Sequence, residues 1–280
     1  MEIVFDKVSF VVNKKTPLEK TIISDISFNI IEPGIYSFIG SSNSGKTAIA
    51  DLINALIIPT SGVVKIGKYS NNGKRIKDIN KLRVETGYVF KNPYDMFINK
   101  TVKDELEYGM KYFKYKVDKM NFRVPDALKL VGLDDSYLEK NPLNLNLVDA
   151  KKIALASVLI YNPNIIILDE FTTGLGENDK SELVRLLRIL KNKYRKTIII
   201  LSKDTNFCYK ITDKVFLLHL TKLVKEGDKS LLEDEETLKK IGLEVPKIVS
   251  FVNACNKKGH EINYYTNILD LIKGVYRDVF

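Results

Sequence analysis

Hydrophobic and polar positions change rhythm along this chain. The β-rich runs Ile3–Val12, Thr21–Ile30 and Ile35–Ile39 are joined by polar stretches such as Asn13–Lys20, as antiparallel strands would be. Ala48–Ile57 takes helical spacing, and short runs follow at Val63–Ile66 and Gly87–Phe90, with a polar Asn71-Asn72-Gly73 turn between them. From Thr101 to Ser157 the spacing is helical with few strand signals. Asn164–Leu168, Thr197–Leu201 and Val215–His219 are again short apolar runs, separated by helical segments such as Lys180–Lys193. That alternation predicts a parallel α/β sheet. Beyond Gly227, the segments Lys229–Ile241, Pro246–Lys257 and Asn263–Asp278 read as helices bounded by Pro246 and Gly259. The pattern predicts a main α/β unit over 1–227, with a helical insert near 97–160, and a small C-terminal helical unit over 228–280.

Composition narrows the class. At 280 residues the chain is long for one core, which agrees with a main unit plus an appendage. Apolar residues make up 45%, and no stretch is long and apolar enough to cross a membrane. Met1-Glu2-Ile3-Val4-Phe5-Asp6 lacks the basic and apolar regions of a signal peptide. Cys208 and Cys255 have no metal-ligand spacing and read as reduced cytosolic thiols. His219 in an apolar strand and His260 in a charged turn read as structural. The net charge of +9 is mostly lysine, dispersed along the chain, which is a poor nucleic-acid signal and allows at most a modest attraction to anionic lipid.

Chemistry enters at Gly40-Ser41-Ser42-Asn43-Ser44-Gly45-Lys46-Thr47, a complete G-x-x-x-x-G-K-(S/T) phosphate loop set between a predicted strand and a predicted helix that opens at Ala48. The glycines allow a tight turn whose N–H groups point at phosphate oxygens. Lys46 reaches the outer phosphates, and the Thr47 hydroxyl is a ligand for Mg²⁺. A second half follows at Ile165-Ile166-Ile167-Leu168-Asp169-Glu170, a buried strand delivering two acids at its C-terminal edge. Asp169 is expected to hold the Mg²⁺ that bridges the outer phosphates, and Glu170 to be the base that orients and deprotonates the attacking water.

Lys46 and Asp169 lie 123 residues apart with a helical segment between them. With Leu168-Asp169-Glu170-Phe171-Thr172-Thr173-Gly174-Leu175, that arrangement resembles the ATP-binding-cassette (ABC) transporter ATPases. More narrowly, the chain resembles the ATPase subunits of energy-coupling factor importers. The resemblance rests on Thr16-Pro17-Leu18-Glu19, Val89-Phe90-Lys91-Asn92-Pro93, Thr101-Val102-Lys103-Asp104-Glu105, Val131-Gly132-Leu133, Ala154-Leu155-Ala156-Ser157-Val158-Leu159 and Leu238…Ile241-Gly242-Leu243-Glu244-Val245-Pro246. It implies a P-loop fold of ABC type, with an antiparallel β subdomain, a helical subdomain and C-terminal dimerising helices. It also implies a second ATPase subunit sharing each ATP, and a transmembrane coupling subunit with a membrane component that binds a vitamin or metal ion. The location it implies is peripheral, on the cytoplasmic face of the cell membrane. Tyr94-Asp95-Met96-Phe97 falls where the family receives coupling helices, with Asp95 as an acceptor for an arginine.

Against the family pattern, Lys91 replaces the glutamine that contacts Mg²⁺ and water, and Lys203 replaces the switch histidine. Leu145-Asn146-Leu147-Val148-Asp149 stands where the family has Leu-Ser-Gly-Gly-Gln. Gly176 replaces an aspartate and Phe171 a proline. Val12 sits where an aromatic would stack on adenine, leaving Phe10 or Tyr36. Leu147 and Val148 bring side chains into space two glycines would leave open for a partner's phosphate. Asp149 at about 8 Å and an effective dielectric near 20 would oppose each phosphate charge by roughly 2 kcal/mol. Asn146 and Asp149 also have the spacing of an N-cap and its third-position acid. Two cations near the outer phosphates should hold ATP more tightly, and either is able to pair with Glu170 and lower its basicity.

The reading is an ABC-type ATP-binding subunit of an energy-coupling factor importer, favouring a heterodimer with a more complete paralogue. A non-hydrolysing regulatory or structural ATP-binding subunit is the alternative. A P-loop kinase would need an arginine-rich lid, and Thr101–Ser157 contains only Arg123.

Overall fold

Runs that are apolar on both faces suit strands covered on both sides, whereas alternating runs suit a sheet with one wet face. Both kinds occur in the computed structural model, which describes residues 1–74, 76–112 and 117–279. In chain order, β1 (Ile3–Val12) and β2 (Lys20–Ile30) pair antiparallel, and β3 (Ile35–Gly40) leads through the phosphate loop into α1 (Lys46–Ile53). The strands β4 (Ser61–Ile66) and β5 (Tyr69–Asn71) return to the first sheet. Next come α2 (Ile79–Glu85), β6 (Thr86–Val89), and the helices α3 (Val102–Tyr112), α4 (Val117–Leu130) and α5 (Leu147–Leu159). The predicted helical stretch from Thr101 covers 113–116, which lie outside the described residues. The α/β alternation resumes with β7 (Ile165–Asp169), α6 (Glu177–Asn192), β8 (Thr197–Ser202), α7 (Thr205–Ile211), β9 (Lys214–His219) and β10 (Lys222–Asp228). The C-terminal helices are α8 (Glu235–Lys240), α9 (Lys247–Asn256) and α10 (Ile268–Val279).

The first sheet has the order β2-β1-β4-β5, the second β10-β9-β3-β8-β7-β6. In the second, β9, β3, β8, β7 and β6 run parallel and β10 joins antiparallel, so the sheet is mixed. Every residue of β3, β7 and β8 is buried. Among the described residues the hydrophobic core falls into a larger cluster on the helical side and a second between α1 and the antiparallel sheet. The backbone of Ser24 donates to the Thr221 carbonyl at 2.9 Å and ties the two sheets together beside the phosphate loop.

Several elements differ from expectation for local reasons. Helix α1 stops at Ile53 and not Ile57, because Ala55 turns left-handed (φ 52°). β10 was not expected: its Lys- and Glu-rich residues are largely exposed, so no alternation marks it, and pairing with β9 alone defines it. The short helices α2 and α7 were also not expected. The segment Lys229–Ile241 breaks into a 3₁₀ turn over Lys229–Leu232 and then α8, and α10 begins at Ile268 instead of Asn263. Leu232, Leu238, Ile241, Leu243 and Val249 join the larger core, whereas Val252, Ile262 and Leu271 form a small cluster of their own.

Candidate active site

Four adjacent parallel strands end along one edge of the sheet. Ile39 of β3 stands opposite Ser202 of β8, Leu201 opposite Asp169 of β7, and Leu168 opposite Val89 of β6. That common edge places the phosphate loop after β3, Lys203 after β8, Asp169 and Glu170 at the end of β7, and Lys91 beyond β6. Ligands of α/β sheets bind at such carboxyl ends.

The loop glycines have stereochemical reasons. Gly45 has φ 96°, and a Cβ there would lie 2.5 Å from Ile23 Cγ2 and 2.8 Å from the Ile22 carbonyl. A Cβ on Gly40 would overlap the Ser44 hydroxyl and lie 2.6 Å from the Leu218 carbonyl. Asn43 is left-handed (φ 63°), a conformation asparagine tolerates. Residues Ser42, Asn43, Ser44, Gly45, Lys46, Thr47 and Ala48 line a cavity of about 250 Å³, together with Lys91, Asp169 and Glu170. Ser41 and Ser42 also open onto a larger polar cavity of about 700 Å³, which includes Glu170 and Lys203.

Lys46 is buried, and its ammonium donates to the carbonyls of Gly40 at 2.7 Å and Ser41 at 2.9 Å. It stands 3.4 Å from Glu170 Oε1. Burial holds its pKa below the ordinary lysine value, against the opposing pull of Glu170. Thr47 Oγ1 donates to Asp169 Oδ2 at 2.7 Å, and the Tyr88 hydroxyl lies 3.4 Å from the same oxygen. Burial raises the Asp169 pKa, while the Thr47 hydrogen bond opposes the rise. Asp169 Oδ1 is buried without a protein partner, and so is the Ser44 hydroxyl. An unpartnered carboxylate oxygen beside a threonine hydroxyl fits a hard divalent cation, which takes oxygen ligands. The Ser44 hydroxyl, facing the same loop, fits a phosphate oxygen.

Lys91 and Lys203 are both exposed, and among the described residues neither is ion-paired with Glu170. The ion partner of Glu170 is Lys46, which corrects the expectation that Lys91 or Lys203 takes that role. Asn146 accepts from the Asp149 N–H at 3.0 Å, and its amide donates to Asp149 Oδ2 at 2.9 Å, as does the Tyr137 hydroxyl. The altered loop thus caps α5. Tyr36 is excluded as an adenine platform: it is buried, its hydroxyl donates to the Glu32 carbonyl at 2.8 Å, and its ring faces Phe216. Phe10 is half-buried on β1, against the core of the antiparallel sheet. No aromatic ring is among the described residues lining the phosphate cavity, which Lys20, Thr21, Ile22 and Thr221 also line. Asp95 accepts from the Asn92 side chain at 2.8 Å in the exposed turn after β6.

Two features escaped sequence reasoning. Asp51 on α1 lies beside Tyr88 and Asp169, and burial with the Asp169 charge pushes its pKa up to about 6. Lys151 on α5 is buried, and burial lowers its pKa to about 8. Lys151 had a legible signal: Leu147, Lys151, Ala154, Leu155 and Val158 share one helical face, which is otherwise apolar.

Residues 23–173, more than half of the chain, match the family described as ABC transporter. The energy-coupling factor transporter ATP-binding protein EcfA3 of Oenococcus oeni is 31% identical over 265 residues, covering 94% of this chain and 92% of that protein. The corresponding EcfA2 of Clostridium perfringens is 29% identical, with 94% and 93% covered. Among solved structures, cbiO1 from Clostridium perfringens, described as part of the ABC transporter complex cbiONQ, superposes with a TM-score of 0.72 at 25% identity, over 90% of this chain and 98% of that one. A dimeric ATP-binding cassette, MJ0796, bound to ADP and Pi, gives a TM-score of 0.75 at 23% identity over 81% and 98%, a likeness of fold. Phosphate loop, acidic strand end and near full-length similarity therefore agree, and the chain belongs to the ABC transporter family, within its branch of energy-coupling factor transporter ATP-binding proteins.

Proposed function

We propose that this chain binds ATP with Mg²⁺ and drives uptake of a vitamin or metal ion through membrane partners. The observation that carries this reading is the convergence of Thr47, Asp169, Lys46 and Glu170 on one cavity at the strand ends. The amides of Ser42 to Thr47 and the N-terminus of α1 would bind the phosphate chain, with Lys46 leaving its carbonyl acceptors for the outer phosphates. Thr47 Oγ1 and Asp169 would hold Mg²⁺, which when bound neutralises charge on the outer phosphates. Glu170 would orient the attacking water and accept its proton. Lys91 and Lys203 stand at the two flanks of Glu170, where they add positive charge near the terminal phosphate.

In this reading 1–227 is the nucleotide-binding unit and 228–280 the helical dimerisation unit. The protein acts at the cytoplasmic face of the membrane. Its pair is a second, more complete cassette subunit. Leu147 and Asp149 support a heterodimer: Leu147 is part-exposed where a partner's phosphates would approach, and Asp149 is committed to Asn146 and Tyr137. The same substitutions favour the second reading, a subunit that retains ATP and hydrolyses it slowly or not at all.

Calorimetry with ATP–Mg²⁺ on wild type and Lys46→Ala tests the binding claim; equal, feeble heats would remove it. Single-turnover hydrolysis by the complex with its cassette partner separates the two readings. Turnover that is lost on Glu170→Gln supports an ATPase, and turnover indifferent to that change supports the retaining subunit.

A further inference from the structure

Lys151 is 2% exposed on the inward face of α5, a costly place for an ammonium unless every donor is used. Every donor is used. Its three N–H groups meet the carbonyl oxygens of Glu170 at 3.2 Å, Phe171 at 2.8 Å and Thr173 at 2.6 Å. A neutral amine would bring two donors and turn a lone pair on the third carbonyl. All three acceptors belong to the turn that follows β7, and the Phe171 ring lies 5.6 Å from the same nitrogen.

That turn is strained where it matters. Glu170 is left-handed (φ 45°), a conformation that residues with a side chain rarely adopt. Its N–H donates to the Leu201 carbonyl at 2.8 Å, and its own carbonyl accepts from Lys151. The residue is therefore gripped on both sides, and the grip leaves its carboxylate 3.4 Å from Lys46 in the phosphate cavity. A helix side chain that merely filled a polar gap would have no reason to collect its acceptors from this one segment.

We propose that Lys151 is a positioning residue for Glu170: its ammonium fixes the Glu170–Thr173 turn in the conformation that aims the Glu170 carboxylate at the outer-phosphate position. The proposal rests on the reading of Glu170 as the residue that orients water. One turn earlier on the same face, Leu147 packs against Gly174, where an added Cβ would lie 2.8 Å from Leu147 Cδ2. The face of α5 that starts at the capped, partner-directed loop thus runs straight onto the turn Lys151 holds.

The test uses the full chain in complex with its cassette partner, and reads the part of hydrolysis that Glu170→Gln abolishes. Lys151→Met should lower kcat of that part about 30- to 100-fold, with KM and the Kd of a fluorescent ATP analogue changed less than about threefold. Lys151→Arg, which keeps the charge and at least three donors, should restore kcat to within about fivefold of wild type. The double variant Lys151→Met/Glu170→Gln should be no slower than Glu170→Gln alone, because both remove one function. Should Lys151→Met fail to fold, Lys151→Gln, with two donors, takes its place and should show the same kcat loss with KM preserved. Unchanged kcat in the folded variant, or equal losses in kcat and nucleotide affinity, would overturn the proposal and leave Glu170 in its role. Hydrolysis indifferent to Glu170→Gln would remove that role, and with it the reason to position the residue.

Discussion

Thr47 Oγ1 donates to Asp169 Oδ2 at 2.7 Å, joining the second residue of α1 to the last residue of β7 across 122 positions of sequence. This bond leaves the other Asp169 oxygen buried and unpartnered. An amide at position 169 could keep the Thr47 contact yet would present a neutral, weaker ligand in the same place. Asp169→Asn should weaken ATP binding in the presence of Mg²⁺ by about 2 kcal/mol, roughly 30-fold in Kd. In EDTA the variant should bind as well as wild type or better, since a buried negative charge near the phosphates is gone. Titration of both proteins with and without Mg²⁺ checks this, and equal loss in the two conditions would mean that Asp169 acts on the fold and not on the cation.

Glu170 and Lys46 form an ion pair, with Oε1 3.4 Å from Nζ. ATP must draw Lys46 away from Glu170 and from the Gly40 and Ser41 carbonyls. Glu170→Gln removes the charge that competes with phosphate for Lys46, so ATP affinity should be equal to wild type or up to about fivefold higher. Hydrolysis at this site should fall about 100-fold or more, because an amide accepts no proton from water. A filter-binding assay for retained ATP, run beside phosphate release, separates the two effects.

Asp51 should make stability depend on pH in a direction opposite to that of a salt-bridged acid. Its folded pKa of about 6 lies above its unfolded value, so the folded state binds more protons over the interval between them. The contribution of Asp51 to stability is therefore full at low pH and is lost as pH rises through about 6. Asp51→Asn removes a charge that is repelled by Asp169 and partly desolvated. After allowance for its part-exposed position, the variant should gain about 1 kcal/mol at pH 7.5 and little at pH 4.5. Urea unfolding of both proteins at the two pH values measures this. A variant less stable than wild type at pH 7.5 would show that the hydrogen bond with Tyr88 outweighs the repulsion.

The central strands were legible because Ile35–Ile39, Asn164–Leu168 and Thr197–Leu201 are buried on both faces and so need no alternation to be read. The phosphate loop was legible for a related reason: Gly45 sits against Ile23, and few other residues fit. β10 was hidden because its partner, not its own composition, makes it a strand. Lys151 was legible as a lysine on an otherwise apolar helical face, but the distant turn that accepts its three N–H groups and accounts for its burial was not. Tyr36 misled for the opposite reason, since an aromatic near the phosphate loop looks like a base platform until its ring is found in the core. Local spacing carries loops and strands well, and long-range side-chain partners poorly.

Lys91 and Lys203 reach the site from β6 and β8, on either side of the Asp169–Glu170 strand end, and both are exposed. Neither is paired with Glu170 among the described residues, so their effect on hydrolysis has to act through the phosphate and the water instead of through a salt bridge. In the proposed function, two cations close to the terminal phosphate would stabilise bound ATP and offer water no acceptor, whereas glutamine and neutral histidine do. The double variant Lys91→Gln/Lys203→His should therefore loosen ATP by about 1 to 2 kcal/mol, roughly 5- to 30-fold in Kd, and raise single-turnover hydrolysis about tenfold or more. The two shifts run in opposite directions, as expected if the cations hold ATP and exclude a water acceptor. Looser binding with no gain in turnover would place the block elsewhere, in the Asn146–Asp149 loop, where a matching double variant Leu147→Gly/Val148→Gly would be the next to raise the rate.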